Sequence, residues 1–216
     1  MCGRTGVDAA NDELNGYFGE VGIVPDLDGW FPPEEIFPSG GILTARALPG
    51  RGVVAQQARW GLAPSWWEAV DRPKLGERTY STFNSRIEDF TKPTWRSAWA
   101  AKGPGAGRCL ILATHWWEWT ALPGQEGKTK PQKRRIRLTL PGSRVFAMAG
   151  LWSEYRGQLT STIITCPPAP DIAWVHNRMP LVLHPSMWPA WFSGDVGPAD
   201  LGPPPAGIVD ADEDHG

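Results

Sequence analysis

The sequence predicts a single α+β domain with a β-rich core, and three observations lead there. The chain has 216 residues, enough for one sizeable core, and no long linker divides it. Hydrophobic residues make up 41% and charged residues 20%, which excludes a disordered or collagen-like chain even though 25 Gly and 22 Pro predict many loops. Several windows carry the alternation and β-branched content of strands, while helical periodicity is short and sparse. No repeat recurs at periods of roughly 20–50 residues, so solenoids and propellers drop out.

In chain order, residues 12–18 suggest one or two helical turns, and residues 52–61 alternate as a strand. Ser85-Arg86-Ile87-Glu88 has the S-x-x-E form of a capping box and predicts a short helix starting there. Trp95, Ala98 and Trp99 recur at i, i+3, i+4 ahead of the breaker Gly103-Pro104-Gly105, so residues 93–102 read as an amphipathic helix with both Trp in the core. Residues 108–119, 134–140, 145–152 and 159–166 read as strands. Six basic residues between Lys128 and Arg137 straddle a turn and a strand start, which suits a solvated hairpin or a phosphate contact equally. The domain is expected to span residues 1–196, and residues 197–216, rich in Pro, Gly and acids, are expected to be a disordered tail.

Charge and cysteine content narrow the function. The formal charge of −2 argues against a generic polyanion binder, but Asp200, Asp210, Asp212, Glu213 and Asp214 all lie in the tail; removing those five from the 23 acids leaves 18 against 21 Lys and Arg. That weak basic excess allows nucleic acid without requiring it. Cys2, Cys109 and Cys166 are too few and too unevenly placed for a disulfide scaffold or a zinc site. A reducing, cytoplasmic location is expected, with Cys109 and Cys166 as core thiols. The N-terminal residues have no apolar signal-like run and no window approaches a membrane span, so a soluble protein is expected. Thirteen Trp against three Tyr suggest that some flat apolar faces bind a ligand.

Cys2 carries the most chemical information. Its small side chain permits removal of Met1, leaving a residue with both a free α-amine and a thiol. An α-amine with a reference pKa of ~7.7–8.0 is partly neutral near pH 7, unlike lysine at ~10.4, and can attack an aldehyde. The thiol can then close on the imine carbon to give a thiazolidine, a more durable adduct than the imine.

MCGR at the N-terminus is followed by Trp60-Gly-Leu-Ala-Pro-Ser-Trp66, Asn84-Ser-Arg86-Ile-Glu88, Arg108-Cys-Leu110, Trp117-Glu-Trp119, Ala149-Gly-Leu-Trp152, Thr162-Ile-Ile-Thr165 and His176-Asn-Arg-Met-Pro180. This order resembles the SRAP family, the SOS response-associated peptidase or abasic-site-processing proteins, over residues 2–192. The resemblance implies a barrel-like, mostly antiparallel β core with short peripheral helices. It implies autoproteolytic removal of Met1, binding of single-stranded DNA, and covalent linkage of Cys2 to the aldehyde of an abasic site, with AP lyase activity as a competing outcome. Cys2 matches the family nucleophile, and Asn84, Glu118 and His176 its catalytic positions. Arg4, Arg86 and Arg178 match arginines that grip the DNA backbone, Thr162 falls near the lesion site, and Trp66 and Trp67 lie where an aromatic stacks on a base. A monomer without cofactor or metal is expected, nucleoid-associated when bound to DNA.

The residues themselves support parts of this assignment. Period two puts Trp116 and Glu118 on one strand face, where burial would keep the carboxyl protonated as a general acid. His176, with a reference pKa of ~6.5, can move a proton in either direction. His115 and Glu118 fall on opposite faces, which argues against a shared metal. Two departures stand out: residues 37–45 replace the family's Tyr-Asn-x-Ala-Pro segment, and Thr114-His115-Trp116-Trp117 replaces a less bulky Asp-Gly-Phe-Tyr. Two other readings stay open: an N-terminal-cysteine peptidase or amidohydrolase acting in trans, and a non-catalytic single-stranded-DNA-binding module.

Overall fold

The computed structural model describes residues 2–64, 66–67, 82–100, 105–125 and 127–213. In chain order the elements are β1 (Thr5–Gly6), α1 (Asn11–Val21), β2 (Ile23–Pro25), β3 (Gly41–Leu48), β4 (Gly52–Trp60), β5 (Asn84–Arg86), α2 (Pro93–Ala100), β6 (Ala106–Ala113), β7 (His115–Ala121), β8 (Lys133–Thr139), β9 (Phe146–Tyr155), β10 (Gln158–Cys166), β11 (Met179–Pro180), β12 (Val182–Leu183), α3 (Trp188–Ser193) and β13 (Asp210–Glu213).

β3, β4, β10, β9 and β6 pair in a closed circuit, antiparallel except at β4–β10, so the core is a small β-barrel. Closure removes the free edges that an open sheet would expose. β2 adds to β4 and β5 to β10, both in parallel, while β11 and β12 extend β10 and β9. A second sheet runs β1-β7-β8-β13. The barrel-like, mostly antiparallel core with short helices is therefore present.

Local chemistry explains most elements. β9 and β10 are joined by Arg156-Gly157, both with positive φ (49° and 74°), the two-residue turn whose twist matches an antiparallel pair. Every residue of β6 is buried, so its central part reads as a continuous apolar run. In α2 the buried residues are Trp95, Ala98 and Trp99, the stripe expected from their spacing; the predicted end at Lys102 lies outside the described residues. Arg108 ties the helices to the barrel: it donates hydrogen bonds to the carbonyls of Trp99, Trp191 and Val196 and lies 4.8 and 4.7 Å from the Trp99 and Trp191 rings.

The structure departs from the sequence-based expectations in five places. The window 108–119 is not one strand, because the chain changes sheets at Thr114, whose N–H donates to Gly6 and whose hydroxyl accepts from Asp8 N–H. α1 is a full 11-residue helix; the Glu13 carboxylate accepts the Ala10 N–H at its start. Ser85 does not cap a helix: it lies in β5, held parallel to β10, and a single 3₁₀ turn (Ile87–Asp89) follows. Strand pairing prevails there over the local capping signal. Most Trp residues are buried, Trp60, Trp116, Trp117 and Trp191 fully, so the excess of indoles is chiefly core packing.

The fifth departure is the C-terminal segment, expected to be disordered. Leu201 and Val209 are buried, and β13 pairs antiparallel with β8. Two apolar anchors and an available strand edge supply order that composition alone does not reveal.

Candidate functional site

The N-terminal segment is clamped from two sides. Thr5 exchanges backbone hydrogen bonds with Ile36 on one side, and on the other the carbonyl of Arg4 accepts from Trp117 N–H while Thr5 Oγ1 donates to the His115 carbonyl. Gly6 makes this approach possible, since a Cβ there would sit 1.6 Å from the Glu34 carbonyl oxygen. Gly6→Ala should therefore force β1 away from β7 or from the 33–36 loop, lowering stability by ~3 kcal/mol, within the range for overpacking. Thermal melts against the unaltered protein check this, and Cys2 should lose its register at the same time.

Cys2 is fully buried at the end of this segment, its Sγ 3.8 Å from the Arg4 carbonyl oxygen. Burial, then the nearby Glu118 charge, push the thiol well above its ordinary range, so it is protonated at neutral pH. Asn84, placed by the parallel pairing of β5 on β10, donates through Nδ2 to the Cys2 carbonyl at 2.5 Å. The Glu118 side chain shares the inner face of β7 with buried Trp116, and burial pushes its carboxyl up to about 7, against the opposing charge of the amino terminus. His176, half-buried in the loop before β11, has its Nδ1 3.0 Å from the Arg178 backbone nitrogen and 3.2 Å from the Arg178 carbonyl oxygen, which fixes the ring in the loop. Burial, followed by the amino-terminal positive charge, holds its imidazole below the usual range. Cys2, Asn84, Glu118 and His176 thus converge on the amino terminus. Asn84 Oδ1 and the Thr162 hydroxyl are also buried with no hydrogen-bond partner among the described residues. Buried polar atoms left in this condition call for a partner, such as a water or a polar ligand.

A model of the SOS response associated peptidase (SRAP) family matches residues 1–202. The chain belongs to this family. It is 34% identical over 194 residues to the abasic site processing protein YoaM of Bacillus subtilis, covering 85% of this chain and 75% of that one. It is 33% identical over 189 residues to the abasic site processing protein YoqW of Bacillus phage SPbeta, covering 85% and 76%. An X-ray structure of a protein from Bacteroides thetaiotaomicron has the same fold, with a TM-score of 0.76 at 18% identity over 98% of this chain and 91% of that one. No helix among the described residues is long and apolar enough to cross a membrane.

The remaining positions suggested by the SRAP resemblance are placed differently from one another. Arg86 is exposed on β5, opposite Thr165. Arg4 pairs with Glu35 at 3.4 Å and lies over the rings of Phe37 and Trp119. Arg178 is largely enclosed: it donates two hydrogen bonds to Glu88, at 2.8 and 2.9 Å, and one to the Thr165 carbonyl, so its guanidinium is already engaged by an ion pair. Trp67 is buried edge-on against Tyr155, leaving half-buried Trp66, whose Nε1 donates to Pro93, as the more open ring of the two. His115 lies on the face opposite Glu118, stacked edge-on against Trp117 at 4.1 Å, and burial holds its imidazole down to about 4. Sequence reasoning missed Glu35, and it included Arg135 only within the basic run from Lys128 to Arg137. Glu35 binds both Arg4 and Arg135, and the Arg135 guanidinium covers the Trp117 ring at 4.1 Å. Nothing in Glu34-Glu35 distinguishes it locally from any other acidic pair.

Proposed function

We propose that this protein captures abasic sites in single-stranded DNA by forming a thiazolidine between Cys2 and the ring-opened sugar. The observation that carries the reading is the buried Cys2 thiol, one residue from the amino terminus, beside a carboxyl that burial pushes up to about 7. The names of its relatives support the substrate class.

Hydrolysis of the Met1–Cys2 bond frees the α-amine. His176, neutral near pH 7, takes the proton of the anomeric hydroxyl as the bond from C1′ to the ring oxygen breaks and returns it to that oxygen, so C1′ becomes an aldehyde, the ring oxygen a hydroxyl, and the imidazole is neutral again. The Cys2 amine adds to C1′ to give a carbinolamine. Glu118 donates its proton to the departing hydroxyl, water leaves and an iminium forms. The Cys2 sulfur then bonds to C1′ while the Glu118 carboxylate takes the thiol proton, which restores the acid. The net change is aldehyde plus aminothiol to thiazolidine plus one water. Asn84, on the Cys2 carbonyl, fixes where the amine stands. Arg4, Arg86 and Arg178 are the candidate phosphate contacts, Trp66 and Trp67 the stacking positions, and Thr162 the polar group at the lesion.

The test is an oligonucleotide with one abasic site. Protein whose intact mass lacks one methionine should give a heat-stable conjugate, whereas functional protein that retains Met1 or has a blocked amine would overturn the mechanism. On an undamaged strand, Arg86→Ala should flatten the slope of log affinity against log salt by ~0.7, the contribution of one phosphate contact to a single strand. An unchanged slope removes Arg86 from the phosphate contacts.

A further inference from the structure

Two features of the sequence have no part in that chemistry: the six basic residues between Lys128 and Arg137, and the acids near the C-terminus. The fold joins them. β13 lies antiparallel to β8 with Asp210 opposite Thr139, Asp212 opposite Arg137 and Glu213 opposite Ile136. Directly opposed residues share a sheet face. Asp210 and Asp212 therefore stand on the face that alternation assigns to Lys133, Arg135 and Arg137, while Ile136 and Leu138 on the other face are buried.

This basic face is continuous with the reactive centre. Arg135 shares Glu35 with Arg4, two residues from Cys2, and Arg137 reaches Asp8 at 3.3 Å. At the end of β13, Glu213 accepts a hydrogen bond from Arg134 at 2.8 Å, and that guanidinium lies 5.4 Å from the half-exposed ring of Trp174, two residues before His176. Covering the β8 edge explains why a strand pairs here, but an edge can be covered without acids. The acids matter because they place negative charge where a nucleic-acid backbone would follow the cations of β8.

We propose that strand Asp210–Glu213 is a built-in competitor for single-stranded nucleic acid, neutralising the basic strand Lys133–Thr139 until a polyanion displaces its charge. The inference rests on the DNA-binding reading above and adds both a backbone-contact surface and its regulation. A strand carrying several phosphates outcompetes three carboxylates at low ionic strength, whereas short or weakly held polyanions do not.

The test uses the full chain with Asp210→Asn, Asp212→Asn and Glu213→Gln combined, and an undamaged single-stranded oligonucleotide. Affinity at about 50 mM salt should rise roughly tenfold, and the log–log salt slope should steepen by ~1–2 units, with the two proteins converging at high salt. Deleting residues 210–216 should act in the same direction. Adding Arg134→Ala and Arg137→Ala, the cations that meet Glu213 and stand opposite Asp212, to the neutralised strand should cancel the gain. Unchanged affinity and slope in both the neutralised and the shortened protein, or a gain that survives loss of the two arginines, would overturn the proposal. The abasic-site conjugate assay runs alongside. A heat-stable conjugate with no effect of the strand removes the competitor alone, whereas absence of both conjugate and DNA binding removes the underlying reading as well.

Discussion

Cys2→Ser is expected to abolish the heat-stable conjugate while leaving an imine that borohydride can trap. Serine preserves the α-amine and nearly the volume of the buried cysteine, so the segment held between Ile36 and β7 keeps its path. What is lost is sulfur. A hydroxyl closes on an imine carbon far less favourably than a thiol, and the adduct stays at the hydrolysable stage. The measurement is denaturing electrophoresis of protein and abasic oligonucleotide, with and without borohydride, on protein whose mass confirms loss of Met1. A serine protein giving a conjugate as heat-stable as that of the cysteine protein would show that the ring sulfur is not the source of durability.

Glu118→Gln should slow conjugate formation by ~10²–10⁴-fold, the usual contribution of a positioned proton donor. Its effect on stability has the opposite sign above neutrality. Burial raises the Glu118 carboxyl from the ordinary 4.5 to about 7 in the folded protein. Relative to its ionised form, the protonated carboxyl contributes stability that is fully present below pH 4.5 and is lost as pH rises through about 7. Glutamine is neutral throughout. The variant should therefore melt higher than the parent above pH 7, by up to ~3 kcal/mol at ~1.36 kcal/mol per pKa unit, with the difference shrinking towards pH 4.5. The parent's rate should fall above pH 7 as the acid form disappears, and the variant's residual rate should not follow that titration. Melts and rates measured across this range check both statements, and a variant that melts below its parent at high pH would contradict the burial argument.

Period-two alternation made β8 of the second sheet legible, because only one of its faces meets the core, whereas β6 and most of β10 in the barrel are buried throughout and were legible as apolar, β-branched runs. β3 was not among the expected strands: its residues Ile42–Arg46 are buried in succession, so no alternation marks it. The β6–β7 break was illegible because Thr114 turns the chain by bonding to Gly6 and Asp8, residues more than a hundred positions away. Cys2, Asn84, Glu118 and His176 were legible through ordered motifs spread over the chain. The use of Arg178 by Glu88 and Thr165, and of Arg4 by Glu35, was not, since ion pairs depend on which loops meet.

The amino-acid sequence alone determined the identity of the candidate reactive groups: a cysteine at position 2 whose amine loss of Met1 would free, a carboxyl on the apolar face of a strand, and a loop imidazole. Those are properties of residue type and local period. Tertiary structure decided their working state, because desolvation of Glu118, the hydrogen bond from Asn84 to the Cys2 carbonyl and the pairing of β13 on β8 arise between segments far apart in the chain. Covalent chemistry is inherent in the residue, whereas proton affinity, orientation and charge neutralisation depend on what folding brings beside it.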